Sequence, residues 1–394
     1  MITSPGRPIG FGLAARGDVR DVVTWALQAE RAGFDSIWIH DSYFERDPIS
    51  YLATIAAQVE TIRIGAGALN PYTRHPVVLA MTGSSLDDLA PGRVSMALGS
   101  GLPLRLAQMN IQFGDTVGQV SSTIDQLRTL WAGERMLLNP NVPPLQPMFQ
   151  PPHRIPLYIA GYQSRFLDLC GEKADGYLAR PAESVPAFRL MHQRISRSAV
   201  HHGRDPRDIT FSGYVLALIG DTRRDALNRA KREPFVIYMM SILSNVSLQR
   251  AGFPPELRDQ VSVAWRAENY HGAGQLIPDE LLDAFLACGT RDDVAAKTLE
   301  YHRAGMDVPL IQPILQEEEQ IDAVLEAGVL YATHGSAGSA GQLGSRGLAG
   351  SASSHTGTAR RAWRRAQAWY EITRPFSLTA SVIPVGAGAG VAWW

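Results

Sequence analysis

The sequence predicts an α/β protein of the (β/α)8 TIM-barrel class with a helical insertion between its last strands. Three observations lead there. From Pro8 to about Thr333, short apolar runs alternate with longer helix-patterned stretches, the sequence form of repeated βα units on a parallel sheet. About eight such strands can be counted, and barrels of this kind routinely exceed ~200 residues as one domain. One helix-patterned stretch, Asp221 to Leu286, is too long for a single βα connection and is expected to shape a lid or substrate pocket.

The first unit runs from a strand at Ile9 to Leu13 into a helix opened by Asp18, with Val19, Val22, Val23 and Ala26 on one face and Gly33 closing it. Ser36 to His40 is the second strand, followed by a helix over Tyr51 to Val59, and Ile62 to Leu69 is the third. A helix from Pro76 to Leu89 and the Pro91-Gly92 turn lead to the fourth strand, Arg93 to Gly99, and then to a helix over Val117 to Trp131. Beyond a proline-rich excursion come the strand Leu157 to Ala160, a helix Ser164 to Lys173 and the strand Gly176 to Ala179. Ile209 to Ile219 reads as the seventh strand. After the insertion, a helix opened by Thr290 and Asp292, the strand Val308 to Ile314 and a helix through Leu325 and Val329 complete the domain, residues 1–333.

Residues 334–360 collapse to Gly, Ser and Ala, a composition that cannot bury a core and is expected to act as a linker. Residues 361–394 combine a basic, Trp-containing segment with an uncharged apolar run about one membrane span long. The WYEITRPFSLTASVIPV stretch resembles the opening of a UbiA-type prenyltransferase. The aspartate-rich motifs of that family are absent, so no such activity is assigned; the alternatives are a truncated fusion carrying part of a transmembrane domain and a reading-frame artefact.

A formal charge of −1 leaves no basic field for nucleic acid. The expected partner is a small-molecule substrate, with a second copy of the chain as the one macromolecular partner considered and membrane contact only through 361–394. The two cysteines, Cys170 and Cys288, form no CxxC pair, and no signal-peptide pattern opens the chain, so a cytoplasmic location is expected. Metal ligation finds no support, because His201-His202, His271 and His302 lack ligand-spaced partners. Hydrolysis by a Ser/His/Asp set lacks its G-x-S-x-G elbow, and the glycine clusters lack the third glycine of a nucleotide fingerprint.

The strongest local signal is Asn70-Pro71-Tyr72-Thr73-Arg74-His75-Pro76, placed directly after a strand carrying Gly65 and Gly67 with only small residues between. The run IRIGAGALNPYTRHPVVLA resembles the third βα unit of the luciferase-like superfamily. It is most similar to the deazaflavin branch, the methylenetetrahydromethanopterin reductase type. AERAGFDSIWIHDS, the PGR turn before RVSMALGSG, IPLYIAG with ADGYLA, and GTRDDV with YHRAGMD extend the likeness over residues 8 to 333.

That resemblance implies a bulge with a non-proline cis peptide at Gly67-Ala68; a plain bulge is the alternative. A glycine-bearing wall lets the backbone press against a flat ring. Asp41, at the C-terminal end of the second strand and so on the catalytic face of any such barrel, is implied to contact a deazaflavin headgroup. The position after it is histidine in several dehydrogenases of the family and is Ser42 here, which puts histidine chemistry in doubt. His40 alternates with Asp41 along the strand and is expected to be packed or capping.

Gly99 and Ser100 follow the fourth strand and allow backbone approach to a ligand. Leu102 stands where the sugar-phosphate dehydrogenases carry an acid, which disfavours glucose 6-phosphate. Ala160, Gly161 and Tyr162 precede a helix start that could receive a cofactor phosphate. Arg180 is placed either on that phosphate or in a surface ion pair, and Arg74 and His75 are given structural roles.

The expected catalytic positions are therefore Asp41 and Ser42. The expected cofactor contacts are Asp41, Gly67, Ala68, Asn70, Gly99, Ser100, Ala160, Gly161, Tyr162 and Arg180. Hydride transfer with coenzyme F420 is the leading expectation, FMN-dependent monooxygenation is the alternative, and a non-catalytic cofactor-binding protein is the third.

Overall fold

The computed structural model describes residues 6–42 and 45–333. The linker and tail expectations for 334–394 lie outside the described residues. Nine strands form one parallel sheet: β1 (Gly10–Ala14), β2 (Ser36–His40), β3 (Arg63–Leu69), β4 (Val94–Gly99), β5 (Leu157–Ala160), β6 (Gly176–Ala179), β7 (Thr210–Ile219), β8 (Ala287–Gly289) and β9 (Val308–Pro313). Eight close into a barrel in the order β1-β2-β3-β4-β5-β6-β7-β9, with β9 returning to β1.

The ninth, β8, was not among the eight strands counted in the sequence. It pairs outside the ring with the last residues of β7, Ala217 to Ile219. Three residues are too few to show a period.

Helices fill the connections: α1 (Val19–Arg31), α2 (Pro48–Ala56), α3 (Pro76–Leu89), α4 (Pro103–Gln108), α5 (Thr116–Trp131), α6 (Ser164–Lys173) and α7 (Val185–His201). The insertion holds α8 (Arg223–Ala230), α9 (Pro234–Ser241), α10 (Asn245–Arg250), α11 (Pro255–Arg266), α12 (Tyr270–Gln275) and α13 (Asp279–Phe285). The fold then ends with α14 (Arg291–Arg303) and α15 (Glu318–Thr333).

Local chemistry sets the ends. Asp18 caps α1 by accepting from Arg20 N, and Thr290 and Asp293 form a reciprocal capping box on α14. Several strand and helix ends differ from the sequence expectation by one to three residues, and two differences have a local cause worth naming. Helix α2 begins at Pro48 rather than Tyr51, because Asp47 accepts from Ser50 N and Pro48 occupies the first turn. The six-residue α4 was missed, its hydrophobic pattern being shorter than two turns.

Alternate residues of each strand face out to the helices or into the lumen. The outward set builds the main core, with Phe11, Ile37, Ile64 and Met96 among it. The lumen is filled by a separate cluster of Trp38, Ala97, Tyr158, Leu178, Tyr214 and Leu310. A third cluster belongs to the insertion and takes in Leu216 and Leu218 of β7 and Ile314 past β9, so the insertion sits over the C-terminal ends of those strands.

Trp38 fits because Gly65, its register partner on β3, has no side chain. A Cβ there would stand 2.1 Å from the indole Cδ2. Gly65→Ala is expected to cost on the order of 3 kcal/mol through overpacking. Denaturant unfolding followed by indole fluorescence measures it, and a variant as stable as the parent would contradict this packing.

Candidate active site

The C-terminal mouth of the barrel gathers most of the residues singled out in the sequence. The β3–β4 pairing breaks between Ala66 and Leu69, and the Gly67–Ala68 peptide is cis. Gly67 itself does not face open space. A Cβ there would lie 2.8 Å from Ala97 Cβ, 3.0 Å from Leu178 Cδ2 and 3.1 Å from the Trp38 ring. Gly65 and Gly67 thus make room for lumen side chains, which corrects the picture of the whole Gly65–Ala68 stretch as a bare backing plate.

The bare surface lies one step further up. Ala68 is partly exposed, and a Cβ on Gly99 would come 3.1 Å from Ala68 Cβ and 3.0 Å from the Ala160 carbonyl oxygen. Three neighbouring strands therefore end in touching residues with no atom beyond Cβ. The result is a small-residue patch that a planar group can lie against.

Beside this patch the charges are arranged in pairs. Asp41 accepts from Arg74 Nε at 3.3 Å, and Arg74 Nη2 reaches Asp47 at 2.5 Å. Burial alone would lower the Arg74 pKa, but its bonds to Asp47 and Asp41 raise it above the ordinary value. His75 caps α3, its Nδ1 accepting from Val77 N at 3.2 Å. The structural roles given to Arg74 and His75 agree with this geometry.

Ser42 donates its hydroxyl to Glu45, and Arg16 pairs with the same carboxylate at 2.6 Å. Asn70 is fully buried. Its Oδ1 accepts from Tyr72 N at 2.9 Å, and its Nδ2 donates to the Ser100 carbonyl at 3.3 Å, which ties the β3 and β4 loops together.

On the β5 side, a Cβ on Gly161 would meet Phe166 at 2.7 Å, so this glycine lets the loop close onto α6. Gln163 caps α6 without a side-chain hydrogen bond, leaving first-turn N–H groups for a ligand. Tyr162 is 43% exposed, and the Arg180 guanidinium stacks 4.0 Å over its ring. Arg180 Nε also pairs with buried Glu183 at 3.0 Å, and Nη2 donates to Ser247 of α10 at 2.8 Å. Of the two roles weighed for Arg180, the structure displays the ion pair, but as a partly buried junction rather than a loose surface contact.

Three residues have surroundings that the sequence did not supply. His40 shares the lumen face of β2 with Trp38; its ring meets Tyr214 edge-on at 5.9 Å, and its Nδ1 is buried without a partner. Of the packed or capping roles expected from the sequence, the structure shows the packed one, on the lumen wall against Tyr214, a neighbour too remote in sequence for any local pattern to reveal. Burial pushes its pKa down from 6.5 to about 4; the Glu45 charge opposes that shift and Arg16 adds to it. Glu45 had no motif to mark it. Tyr214 crosses the lumen to donate to the Gly67 carbonyl oxygen at 2.9 Å, fixing the bulge from the opposite wall.

Two cavities of about 420 and 510 Å³ lie elsewhere, one beside His192 and Ser196 and one between α1, α14 and α15, and neither is lined by a residue of the mouth. Among the described residues no cluster of His, Cys, Asp or Glu could hold a metal, and no helix is long and apolar enough to cross a membrane.

A closed parallel barrel with a bulged third strand and paired charges at its mouth is the frame in which the family match falls, and that family is one of oxidoreductases. The chain belongs to the luciferase-like family: the profile described as "Luciferase-like monooxygenase" matches residues 2–308. It is 29% identical over 295 residues, 74% of this chain and 89% of the other, to a 5,10-methylenetetrahydromethanopterin reductase of Methanolobus tindarius. The coenzyme F420 dependent tetrahydromethanopterin reductase of Methanopyrus kandleri superposes with a TM-score of 0.72 at 21% identity, over 82% of this chain and 97% of that one. A type II Baeyer-Villiger monooxygenase from Pseudomonas putida, in complex with FMN, gives a TM-score of 0.61 at 16% identity, over 84% and 99%.

Two outcomes follow from this geometry. Tyr214→Phe leaves the buried Gly67 carbonyl unpaired and should cost about 1 to 3 kcal/mol, read by urea unfolding; an unchanged midpoint would show that the bond holds nothing. Between pH 6.5 and 4 an unfolded chain protonates a histidine that the native His40 site keeps neutral, so the native state loses stability as pH falls through that window. His40→Gln should flatten that pH dependence when unfolding is measured at pH 7, 6 and 5.

Proposed function

We propose that the mouth binds a deazaflavin, coenzyme F420, and that the protein catalyses hydride transfer between it and a small organic substrate. The observation that carries this reading is the contiguous Ala68–Gly99–Ala160 patch beside Asp41. A tricyclic ring needs such a surface, because side chains would hold it away. The reductase relatives support deazaflavin over flavin, the 29% identical one by sequence and the Methanopyrus protein by fold.

When bound, the deazaflavin would supply a hydride at its C5 carbon. The chain's own residues bind, orient and exclude water. Ala68, Gly99 and Ala160 back the ring, and Tyr214 fixes the bulge beneath it through Gly67. Asp41 is held in place by Arg74 and orients the headgroup, while Asn70 keeps the Ser100 loop in register. Gly161, Tyr162 and the open first turn of α6 receive the phosphate, with Arg180 bracing Tyr162. Ser42 is committed to Glu45 and positions that carboxylate.

The second reading keeps the site and replaces the cofactor by FMN for oxygen activation; the FMN-bound neighbour of the same fold motivates it. Fluorescence titration of the full chain with deazaflavin and with FMN separates the two. Tighter binding of the deazaflavin is expected, and binding of FMN alone would overturn the cofactor assignment. Ala68→Leu should weaken deazaflavin binding at least tenfold, about 1.4 kcal/mol, with a thermal midpoint close to the parent's. Equal affinity would remove the patch from the site.

A further inference from the structure

A groove of about 510 Å³ lies on the outside of the barrel between α1, α14 and α15, and it has two unlike sides. Ala32, Leu325, Val329 and Leu330 give it an apolar floor, and Val329 is 38% exposed, so the floor is open to an occupant. Asp322 and Glu326 edge it, with Glu318 one turn before Asp322. Their four-residue spacing stacks three carboxylates on one face of α15, where like charges repel. Arg291 pairs with Glu326, whereas among the described residues no cation pairs with Glu318 or Asp322. Asp322 accepts only from Gln28 Nε2, at 3.5 Å. Burial, and then the charges of Glu318 and Glu326, hold the Asp322 carboxyl above its usual value. The same surface thus lacks both an apolar cover and positive charge.

One stretch of the sequence supplies both. Arg360, Arg361, Arg364 and Arg365 flank Trp363, and no acidic residue stands between Glu326 and Glu371. We propose that the segment from Arg360 to Tyr370 docks into this groove of its own chain, with the Trp363 indole on Leu325, Val329 and Leu330 and the arginines along Glu318, Asp322 and Glu326. The inference is independent of the cofactor assignment, because no residue of the mouth lines the groove.

Tether length favours a contact within one chain. Helix α15 ends at Thr333, one turn past Val329 and Leu330, and residues 334–359 separate it from Arg360. A Gly- and Ser-rich stretch of that length spans on the order of 30 Å, while Asp322 lies roughly 17 Å back along α15 from Thr333 at the helical rise per residue. The segment can therefore reach the whole groove. A tether of matching span also holds it there at about millimolar effective concentration. Contacts too weak to capture a free partner suffice under that condition.

The chemistry of the groove decides among occupants. An indole brings a large apolar face, and arginine stems cover apolar surface while their heads reach carboxylates. An anionic lipid surface or a nucleic acid would meet three like charges instead. A second copy joined groove to groove about a two-fold axis would set one carboxylate stripe against the other.

Limited trypsin digestion of the full chain tests this, with Arg346→Gln throughout so that the tether stays whole and a synthetic peptide of residues 356–370 as the unprotected reference. Cuts after Arg360, Arg361, Arg364 and Arg365 are timed by mass spectrometry. In the parent they should be at least tenfold slower than in the peptide, the protection given by a segment docked about nine-tenths of the time. Asp322→Arg at the edge and Val329→Gln on the floor should each bring the rates within twofold of the peptide's. Trp363→Ala should do the same against its own peptide, and it keeps the test decisive if a groove variant misfolds. Parent rates equal to the peptide's, or protection that survives all three substitutions, would overturn the proposal. Protection that fades on dilution would assign the segment to a second copy, and protection that needs phosphatidylglycerol vesicles would assign it to a lipid surface; either result overturns docking within the chain.

Discussion

Volume exchange across the barrel lumen is the constraint on which the rest of the structure depends. Trp38, Tyr158 and Tyr214 are too large to share one barrel interior unless other wall positions give up their side chains, and interiors are packed closely enough for each such surrender to matter. Gly65 yields to Trp38, Gly176 to Tyr158 and Gly12 to Tyr214. The lumen is thereby a solid floor rather than a pore. That floor lets Ala68, Gly99 and Ala160 form a flat rim above it, and it brings the Tyr214 hydroxyl within reach of Gly67.

Electrostatics at the mouth follow a single arrangement. Asp41, Arg74 and Asp47 form one set, Arg16, Glu45 and Ser42 a second, and Arg180, Glu183 and Ser247 a third. In each, a cation is matched to a carboxylate and the geometry is completed by a further polar group. Partly buried charges need this matching, because an unpaired one would pay most of its desolvation cost. His40 stands apart as a titratable side chain of the lumen whose buried Nδ1 has no partner among the described residues.

The backbone plan was legible because it repeats: eight βα units each carry the same alternation, so errors of a residue or two at strand ends do not change the count. Asp41, Ala68, Gly99 and Ala160 were legible because a parallel barrel must place strand C-termini at its mouth. Gly65 and Gly67 were found for a partly mistaken reason. Their small size was visible, but the partners that use it, Trp38 and Leu178, lie on other strands. His40 was read correctly as packed, because its orientation follows from strand parity, but its neighbour Tyr214 comes from β7 and could not be read locally. Arg180 and Glu183 sit three apart, yet Ser247, which completes their set, comes from the insertion, where helical patterning carries no chemical signature.

The insertion keeps an apolar cluster of its own, seated on Leu216 and Leu218, and meets the β6 loop through the Arg180–Ser247 bond. Its attachment to the barrel is thus confined to one rim, and the Ala68–Gly99–Ala160 patch lies on other strands. The six helices could vary wholesale without disturbing the packing of the strands that carry Ala68, Gly99 and Ala160. Divergence within such a chain should therefore accumulate fastest where the barrel has least at stake.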